Sequence, residues 1–383
     1  MKIMAKVVVV IPTYNEAENI GKMIEALAVE FAKIKNHKME LLVVDDTSPD
    51  KTYEVVRKYG KKYHWVYLLL NAKKEGLGKA YAKGFKYAMK NLGADYVMEF
   101  DGDFQHRPDQ IKDLVAKIDE GYEYIIGSRY IPGGSIPKSW GFKRKFLSVV
   151  GNWVARIGLL QPKLHDLTTG FKITKVKEIL DQIDLDHLYS NSFAYKLHIL
   201  AAAVITRGAR VVEVPITFEA REEGKSKLIK NEMIESLKVI FLFRIHNPKI
   251  IKFLKFGIVG FVGYVINAVA LKIFTNIGSP GIIAWSVPVE LAIISNFTLN
   301  NIWTFRADKI SGIGKTLYKF LQFNLTSAGA LVIQTIAGIA GDVILGVGYR
   351  QLVLPFIILF LVLPYNYTMY NLIIWGSWRK NKS

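Results

Sequence analysis

The sequence predicts an α/β protein, a doubly wound sheet with helices, joined to an all-α four-helix transmembrane region. Two observations predict the architecture. To about residue 228, short apolar runs alternate with segments of helical period, which is the pattern of successive βαβ units. From about residue 250 onward, long apolar stretches alternate with short basic ones, which is a membrane pattern. A third observation points toward chemistry. The predicted strands repeatedly end in carboxylates, although Lys plus Arg outnumber Asp plus Glu by 51 to 33 across the 383 residues.

The first run, "KVVVVIP" (6–12), is apolar without a break, as expected of a parallel strand buried on both faces. No small-residue cleavage site follows it, so it reads as a first strand and not as a secretory leader. "NEAENIGKMIEALAVEFAK" has helical period, with Asn15 and Glu18 spaced like a capping box. "MELLVVDD" is the second strand, and "SPDKTYEVVRKYGKK" a helix with Ser48 placed to cap it. "WVYLLLN", "ADYVMEF" and "YEYIIGSR" are further strands. Between them, "GLGKAYAKGFKYAMKNLG" and "RPDQIKDLVAKIDEG" are helices. In such sheets ligands bind beyond the carboxyl ends of the strands. Glu16, the Asp45-Asp46 pair and Asp101/Asp103 all fall at such ends.

Residues 229–248 form a separate amphipathic segment, which suits a helix lying in the membrane interface or an ordinary docking helix. Residues 249–383 hold four candidate spans, about 250–274, 281–303, 320–345 and 352–376. Each is long enough for a hydrocarbon core of roughly 30 Å. The loop "RADKISGIGKTLYK" and the C-terminus carry the basic residues. By the positive-inside rule they share the cytoplasmic side with residues 1–228, giving an integral, multi-pass protein with its soluble domain and C-terminus cytoplasmic. "NFTLNNIWTF" (296–305) is echoed by "NYTMYNLIIW" (366–375), 70 residues on, so two helix pairs read as copies. Their recurring Asn residues suit interhelical hydrogen bonds or a transport site. Glu290 and Asp342 suit a buried functional charge or an interfacial position.

The basic balance would suggest nucleic acid in a soluble chain. Beside these spans it suits a lipid bilayer surface and phosphate-bearing substrates, with no nucleic acid expected. The absence of Cys excludes disulfides and thiolate metal sites. "EFDGDFQHRP" places Asp101 and Asp103 one residue apart where a strand ends. Asp-Gly also suits a plain hairpin turn. As ligands, two carboxylates with Gln105 suit Mg²⁺ or Mn²⁺, which keep waters and take substrate phosphates. His106 then supports the ligands or is exposed. Arg129, before a flexible Gly133-Gly134 loop, and Arg221, Lys225 and Lys227 of "AREEGKSKL" are anion-binding candidates or solvated charge. No Walker A sequence follows the first strand, which disfavours an ATPase.

Taken together, "VVIPTYNEAENI", "VVDDTSPDKT", "EFDGDFQHRP", "GSRY", "DLTTGFKI" and "REEGKSKL" resemble glycosyltransferase family 2 in order and spacing. Within it they are most similar to polyprenyl-phosphate sugar transferases of the dolichol-phosphate mannose synthase kind. The likeness covers about residues 6–228, and the remainder resembles the GtrA-like four-helix domain. This resemblance implies a GT-A (Rossmann-like) catalytic domain. It implies that Pro12, Tyr14 and Glu16 line a nucleotide pocket and that Val44, Asp45 and Asp46 hold base and ribose. It makes Asp101 and Asp103 the metal motif with Gln105 as third ligand, and Gly102 the point of close backbone approach. Arg129, Arg221 and Lys227 would contact diphosphate or acceptor phosphate, and Asp166 would sit near the sugar.

The expected activity is inverting transfer of mannose from GDP-mannose to dolichyl or polyprenyl phosphate, giving a β-linked product in glycosylation. A lipid phosphate is already anionic at neutral pH, so no catalytic base is needed. UDP-glucose is the alternative donor. A lipid-sugar flippase is the alternative for the membrane half, against a plain anchor. "KSWGFKRKFLSVVGNWVARIG" (138–158), with Lys143, Arg144 and Lys145, would draw the lipid head group or simply end an exposed helix.

Overall fold

Every side chain from Val7 to Ile11 is fully buried, which puts the first strand at the centre of a sheet covered on both faces. The computed structural model describes residues 4–220, 231–346, 353 and 356–380. It divides into two compact units, Met1–Arg244 and Ile245–Ser383.

In the first unit seven strands pair in the order β3-β2-β1-β4-β6-β5-β7. They are β1 (Lys6–Thr13), β2 (Lys38–Asp45), β3 (Val66–Leu70), β4 (Tyr96–Glu99), β5 (Tyr124–Ser128), β6 (Lys172–Lys175) and β7 (Val211–Pro215). The helices are α1 (Ala17–Lys33), α2 (Thr52–Lys62), α3 (Leu77–Lys90), α4 (Ile111–Asp119), α5 (Phe142–Gly158), α6 (Tyr195–Leu200) and α7 (Asn231–Ile245). Strand alternation sorts the core into two layers. Val8, Val10, Leu42 and Val44 pack with α3 and α6, whereas Val7, Val9, Ile11, Leu41 and Val43 pack with α1 and α4.

The sheet is mixed. β6 runs antiparallel between β4 and β5, pairing Glu99 with Lys172 and Ile126 with Lys172. Because it runs backwards, its N-terminal end lies where its neighbours have their carboxyl ends. The loop from Asp166 to Gly170 is therefore delivered to the same edge as Asp101. β6 and β7 are absent from the strands that apolar runs predict, since "KITK" is four residues long with a Lys at each end.

Two predicted caps are corrected. α1 begins at Ala17, and Asn15 sits outside it in the left-handed region with φ 58°. The first amides of α1 are capped instead from the α2 loop, Glu16 N by Thr52 Oγ1 at 3.0 Å and Ala17 N by Asp50 Oδ2 at 2.9 Å. Ser48 does not cap α2; its hydroxyl bonds Asp45 Oδ2 at 2.7 Å and receives Asn15 N at 3.0 Å. Side chains distant in sequence outcompeted the local caps.

α7 has two sides. Val239, Ile240 and Phe243 are buried in the first unit's core, and Arg244 Nε donates to Gly158 O at 2.6 Å. Ile234, Leu237 and Phe241 are exposed. α5 repeats this arrangement: Phe142 (83%), Phe146, Val149, Trp153 and Ile157 (64%) are exposed at spacings of three and four, a single apolar stripe.

The second unit is helical: α8 (Pro248–Asn276), α9 (Gly281–Leu299), α10 (Ile313–Leu345) and shorter segments from Ile358 to Lys380. Among the described residues, one helix, Pro248–Phe274, is long and apolar enough to cross a membrane. Part of the 352–376 span lies outside the described residues, as does the Asp342 side chain. Glu290 is exposed. The sequence repeat has a structural counterpart, since Asn300–Thr304 and Tyr370–Ile374 both form π-helical turns. Of their Asn residues, Asn301 bonds a distant segment, Asn371 bonds near its own turn, and Asn300 Oδ1 has no hydrogen-bond partner among the described residues. Asn301 takes Ile310 N at 2.8 Å, gives to Ile310 O at 3.0 Å and receives Trp375 Nε1 at 3.1 Å. Asn371 gives to Tyr367 O and receives Ser377 Oγ.

Candidate active site

Four segments meet beyond the carboxyl edge of the sheet, and each is held there by bonds across strands. After β1 and β2, the buried Asp45 carboxylate accepts Thr13 Oγ1 at 2.8 Å and both the N–H and hydroxyl of Ser48. Its oxygens are thus spent on tying two strand ends together. Its neighbour Asp46 accepts Asn71 Nδ2 at 2.7 Å. Burial raises the Asp46 pKa, with the Asn71 bond working the other way. The Val44 side chain points into the core against α3, so only its backbone is placed to meet a ligand. Tyr14 lies under the Lys74 ammonium at 3.7 Å. Glu16 Oε2 receives Asn19 Nδ2 at 3.2 Å, and Pro12 pairs with Val44 at the strand end.

At the end of β4, Asp101 Oδ1 accepts Tyr81 Oη at 3.2 Å. Its Oδ2 faces His106 Nδ1 at 3.5 Å and Lys196 Nζ at 3.9 Å. Asp103 Oδ1 accepts Gln105 N at 3.2 Å. Gln105 Nε2 donates to Glu219 O at 3.4 Å, which leaves its amide oxygen as the acceptor atom of the side chain. Gly102 is buried, and a Cβ there would meet Ile11 Cγ2 at 3.0 Å. No hairpin follows the Asp-Gly; the chain enters a 3-10 turn, Pro108–Gln110, and then α4.

His106 is not exposed; its Nδ1 lies 3.5 Å from Asp101 Oδ2. It is buried among Phe100, Phe171 and Phe218, and desolvation lowers its pKa to about 4, so it is neutral at pH 7.

At the end of β5, Arg129 is locked in a buried pair. Its Nε donates to Asp166 Oδ2 at 2.7 Å, its Nη2 to Asp166 Oδ1 at 2.8 Å and to Thr168 Oγ1 at 3.0 Å. Asp166 is held in turn, because Glu213 of β7 accepts the backbone N–H of both His165 and Asp166. Burial opposes the charge on Asp166, but the Arg129 charge and hydrogen bonds outweigh it and hold the carboxyl below its ordinary value. The Gly133-Gly134 loop is clasped, with Ser135 N bonded to Ile216 O and Phe218 N to Ser135 O.

Arg221, Lys225 and Lys227 lie outside the described residues. Three charged residues inside apolar runs escaped the sequence reading. Glu99 and Lys172 are both fully buried and face each other across the β4–β6 pair, and Lys196 is buried on α6. Tyr195 Oη donates to Glu99 Oε2 at 2.6 Å, and Lys172 Nζ to Leu167 O at 3.0 Å. Burial lowers the Lys172 pKa to about 8, against the pull of Glu99. A lone charge interrupting "YVMEF", "GFKI" or "FAYKL" was the available signal. Arg144 is a fourth. Its guanidinium lies 4.0 Å over the Trp140 ring, and its pKa is lowered by burial and by Arg129, while Asp103 pulls it up. It therefore belongs to the electrostatics of this edge and not only to a basic helix end.

The donor set fits a hard divalent cation. Among the described residues no three His, Cys, Asp or Glu side chains form a cage. Asp101, Asp103 and the Gln105 oxygen supply a few oxygens on one loop, which suits an ion completed by water and phosphate. The carboxylates of Asp101 and Asp103 and the guanidinium of Arg129 follow the ends of β4 and β5, and Arg144 is coupled electrostatically to Asp103 and Arg129.

A Rossmann-like α/β unit with this loop at its edge, followed by a helical membrane domain, defines a membrane-associated glycosyltransferase with a GT-A fold. The chain belongs to glycosyl transferase family 2: residues 8–180 match that family and residues 255–375 match the GtrA/DPMS transmembrane domain. It is 36% identical over 322 residues to a dolichol-phosphate mannosyltransferase of Pyrococcus furiosus, spanning 82% of this chain and 85% of that one. It is 35% identical over 233 residues to a polyprenol monophosphomannose synthase of Mycolicibacterium smegmatis, spanning 61% and 84%. A looser likeness, TM-score 0.46 at 16% identity, is to the mannosyl-3-phosphoglycerate synthase of Rubrobacter xylanophilus, covering 63% of this chain and 74% of that one.

Proposed function

We propose that this chain transfers mannose from GDP-mannose to a dolichyl or other polyprenyl phosphate, with inversion, at the cytoplasmic face of a membrane. The observation that carries the reading is that Asp101/Asp103 follow β4 and Arg129 follows β5 at one sheet edge, with Arg144 coupled electrostatically to Asp103 and Arg129. A displacement between two phosphates must bring anions together in line. Fixed charges of both kinds at that edge meet this need. The mannosyltransferase names of the relatives support the sugar and the lipid-phosphate acceptor.

In this reading Asp101, Asp103 and the Gln105 oxygen hold Mg²⁺ or Mn²⁺, which supplies charge neutralisation at the leaving diphosphate. Pro12, Tyr14 and Glu16 border the nucleotide, and Asp46, kept in place by Asn71, meets the base or ribose. Asp45 acts through the backbone it fixes, as do Val44 and Gly102. Arg129, oriented by Asp166, and Arg144 receive the acceptor phosphate, joined by Arg221 and Lys227. The phosphate oxygen attacks the sugar carbon directly and needs no base. The second unit spans the membrane four times, which places both termini on one side.

The test of the donor is transfer of labelled sugar to a short-chain polyprenyl phosphate with GDP-mannose or UDP-glucose as the sole donor. Mannose transfer is expected. Transfer from UDP-glucose alone would overturn the donor. Failure of both, with nucleotide still bound, would favour a substrate-binding lipid flippase.

The exposed stripe of α5 gives a second expected result. In this reading its rings enter the lipid surface. Trp153→Asp should raise the KM for lipid acceptor by about tenfold or more, as one buried aromatic is worth about 1.5–3 kcal/mol. The kcat and the KM for donor should stay near wild type. An unchanged acceptor KM would show that α5 does not touch the lipid.

A further inference from the structure

The buried ammonium of Lys196 stands on the protein side of Asp101, where nothing in the proposed transfer requires it. We infer that Lys196 is a resident cation that sets the divalent-ion affinity of the Asp101/Asp103 loop, making ion binding depend on the donor diphosphate. The inference rests on the metal-loop reading of Asp101 and Asp103 given above.

The placement is built and not incidental. Lys196 is 3% exposed, on a short helix whose neighbours Tyr195, Leu197 and Ile199 are core residues. Its Nζ is 3.9 Å from Asp101 Oδ2. Gly170, just before β6, closes over the pair. A Cβ on Gly170 would overlap Lys196 Nζ and come within 2.8 Å of Asp101 Oδ2. A side chain at Gly170 would have to displace the Lys196 ammonium or the Asp101 carboxylate. On the same carboxylate, Tyr81 Oη donates to Asp101 Oδ1 at 3.2 Å and His106 Nδ1 lies 3.5 Å from Oδ2.

The consequence follows from charge. An ion bound by Asp101 and Asp103 would share Asp101 with a cation already present. Two like charges at such separations repel strongly in a partly buried site. Lys196 therefore weakens ion binding to the nucleotide-free protein. A diphosphate adds several negative charges on the open side and restores the balance. Ion and nucleotide then bind cooperatively, and by linkage each tightens the other by the same factor. Lys196 is a positioning residue in this scheme, because it acts through Asp101.

The experiment uses the full-length protein in detergent, with Mn²⁺ binding followed by electron paramagnetic resonance, alone and with saturating GDP or UDP. Lys196→Met keeps the length and removes the charge. Expected is a Mn²⁺ affinity at least about tenfold tighter than wild type without nucleotide, and a Mn²⁺–nucleotide coupling reduced by a similar factor. Lys196→Arg should restore wild-type coupling. Lys196→Gln serves as a second neutral variant if the Met variant does not fold by circular dichroism. Unchanged or weaker Mn²⁺ binding in a folded neutral variant, with coupling intact, would overturn the inference. Asp103→Ala separates the two ideas. If it abolishes Mn²⁺ binding while the neutral Lys196 variants leave it unchanged, only the role of Lys196 fails. If it leaves Mn²⁺ binding intact, the metal-loop reading fails with it.

Discussion

Asp103→Ala should reduce sugar transfer by a factor of about 10³ or more while leaving the protein folded. The asymmetry comes from where Asp103 sits. It is half-buried on a loop, and Gln105 N at 3.2 Å is a contact that water can replace. Losing one such bond costs about 1 kcal/mol. Its proposed role is different in size, because a charge on a leaving diphosphate would lose half of its carboxylate-held counterion. Raising Mn²⁺ should recover little of the rate, since the second carboxylate is absent and not merely weakened. Asp103→Asn, which keeps an oxygen, should fall between. The check is kcat at saturating donor across a Mn²⁺ titration, with circular dichroism for folding. A kcat within tenfold of wild type would remove Asp103 from the ion site.

Asp166→Ala should have the opposite profile, a loss of stability first and of activity as its consequence. Removing this carboxylate leaves the Arg129 guanidinium buried without its bidentate partner. Breaking a buried pair in this way costs about 3–5 kcal/mol. The pH dependence has a fixed sign. The folded pKa of Asp166 lies below its ordinary value, so its contribution is full above about pH 4 and is lost as pH falls through the folded pKa. The variant should lack that part of the acid-side decline. Replacing both partners with apolar residues, Arg129→Met with Asp166→Leu, should regain much of the stability but not the activity. Denaturant midpoints of the full chain in detergent, read by circular dichroism at pH 3 to 7, would show this. A midpoint shift equivalent to under about 0.5 kcal/mol for Asp166→Ala would show that Arg129 finds another partner.

The parts that were legible in the sequence are those that local pattern controls. Continuous apolar runs such as Val7 to Ile11 marked the parallel strands because both faces of that sheet are covered. The Asp-Gly-Asp loop was visible because a strand ending in two carboxylates has little stabilising value. What was hidden depends on distant partners. β6 has no apolar run, since Lys172 is buried opposite Glu99 instead of a hydrophobic residue. The α1 caps come from Asp50 and Thr52, more than thirty residues away. Asp45 and Asp46 look alike in "VVDD", yet one is spent on Ser48 and Thr13 and the other faces Asn71. Arg129 and Asp166 each suggested ligand contact, and only the fold shows that they bind each other.

The central claim is that a lipid phosphate attacks the sugar directly while Asp101 and Asp103 hold an ion on the leaving diphosphate. One measurement tests it most directly. The full-length protein is given GDP-mannose labelled with carbon-13 at the anomeric carbon and a short-chain polyprenyl phosphate, in Mn²⁺ or in EDTA, and the anomeric configuration of the product is read by NMR. The account predicts a β-linked mannosyl phosphate lipid in Mn²⁺ and none in EDTA. An α-linked product, or undiminished transfer in EDTA, would contradict it.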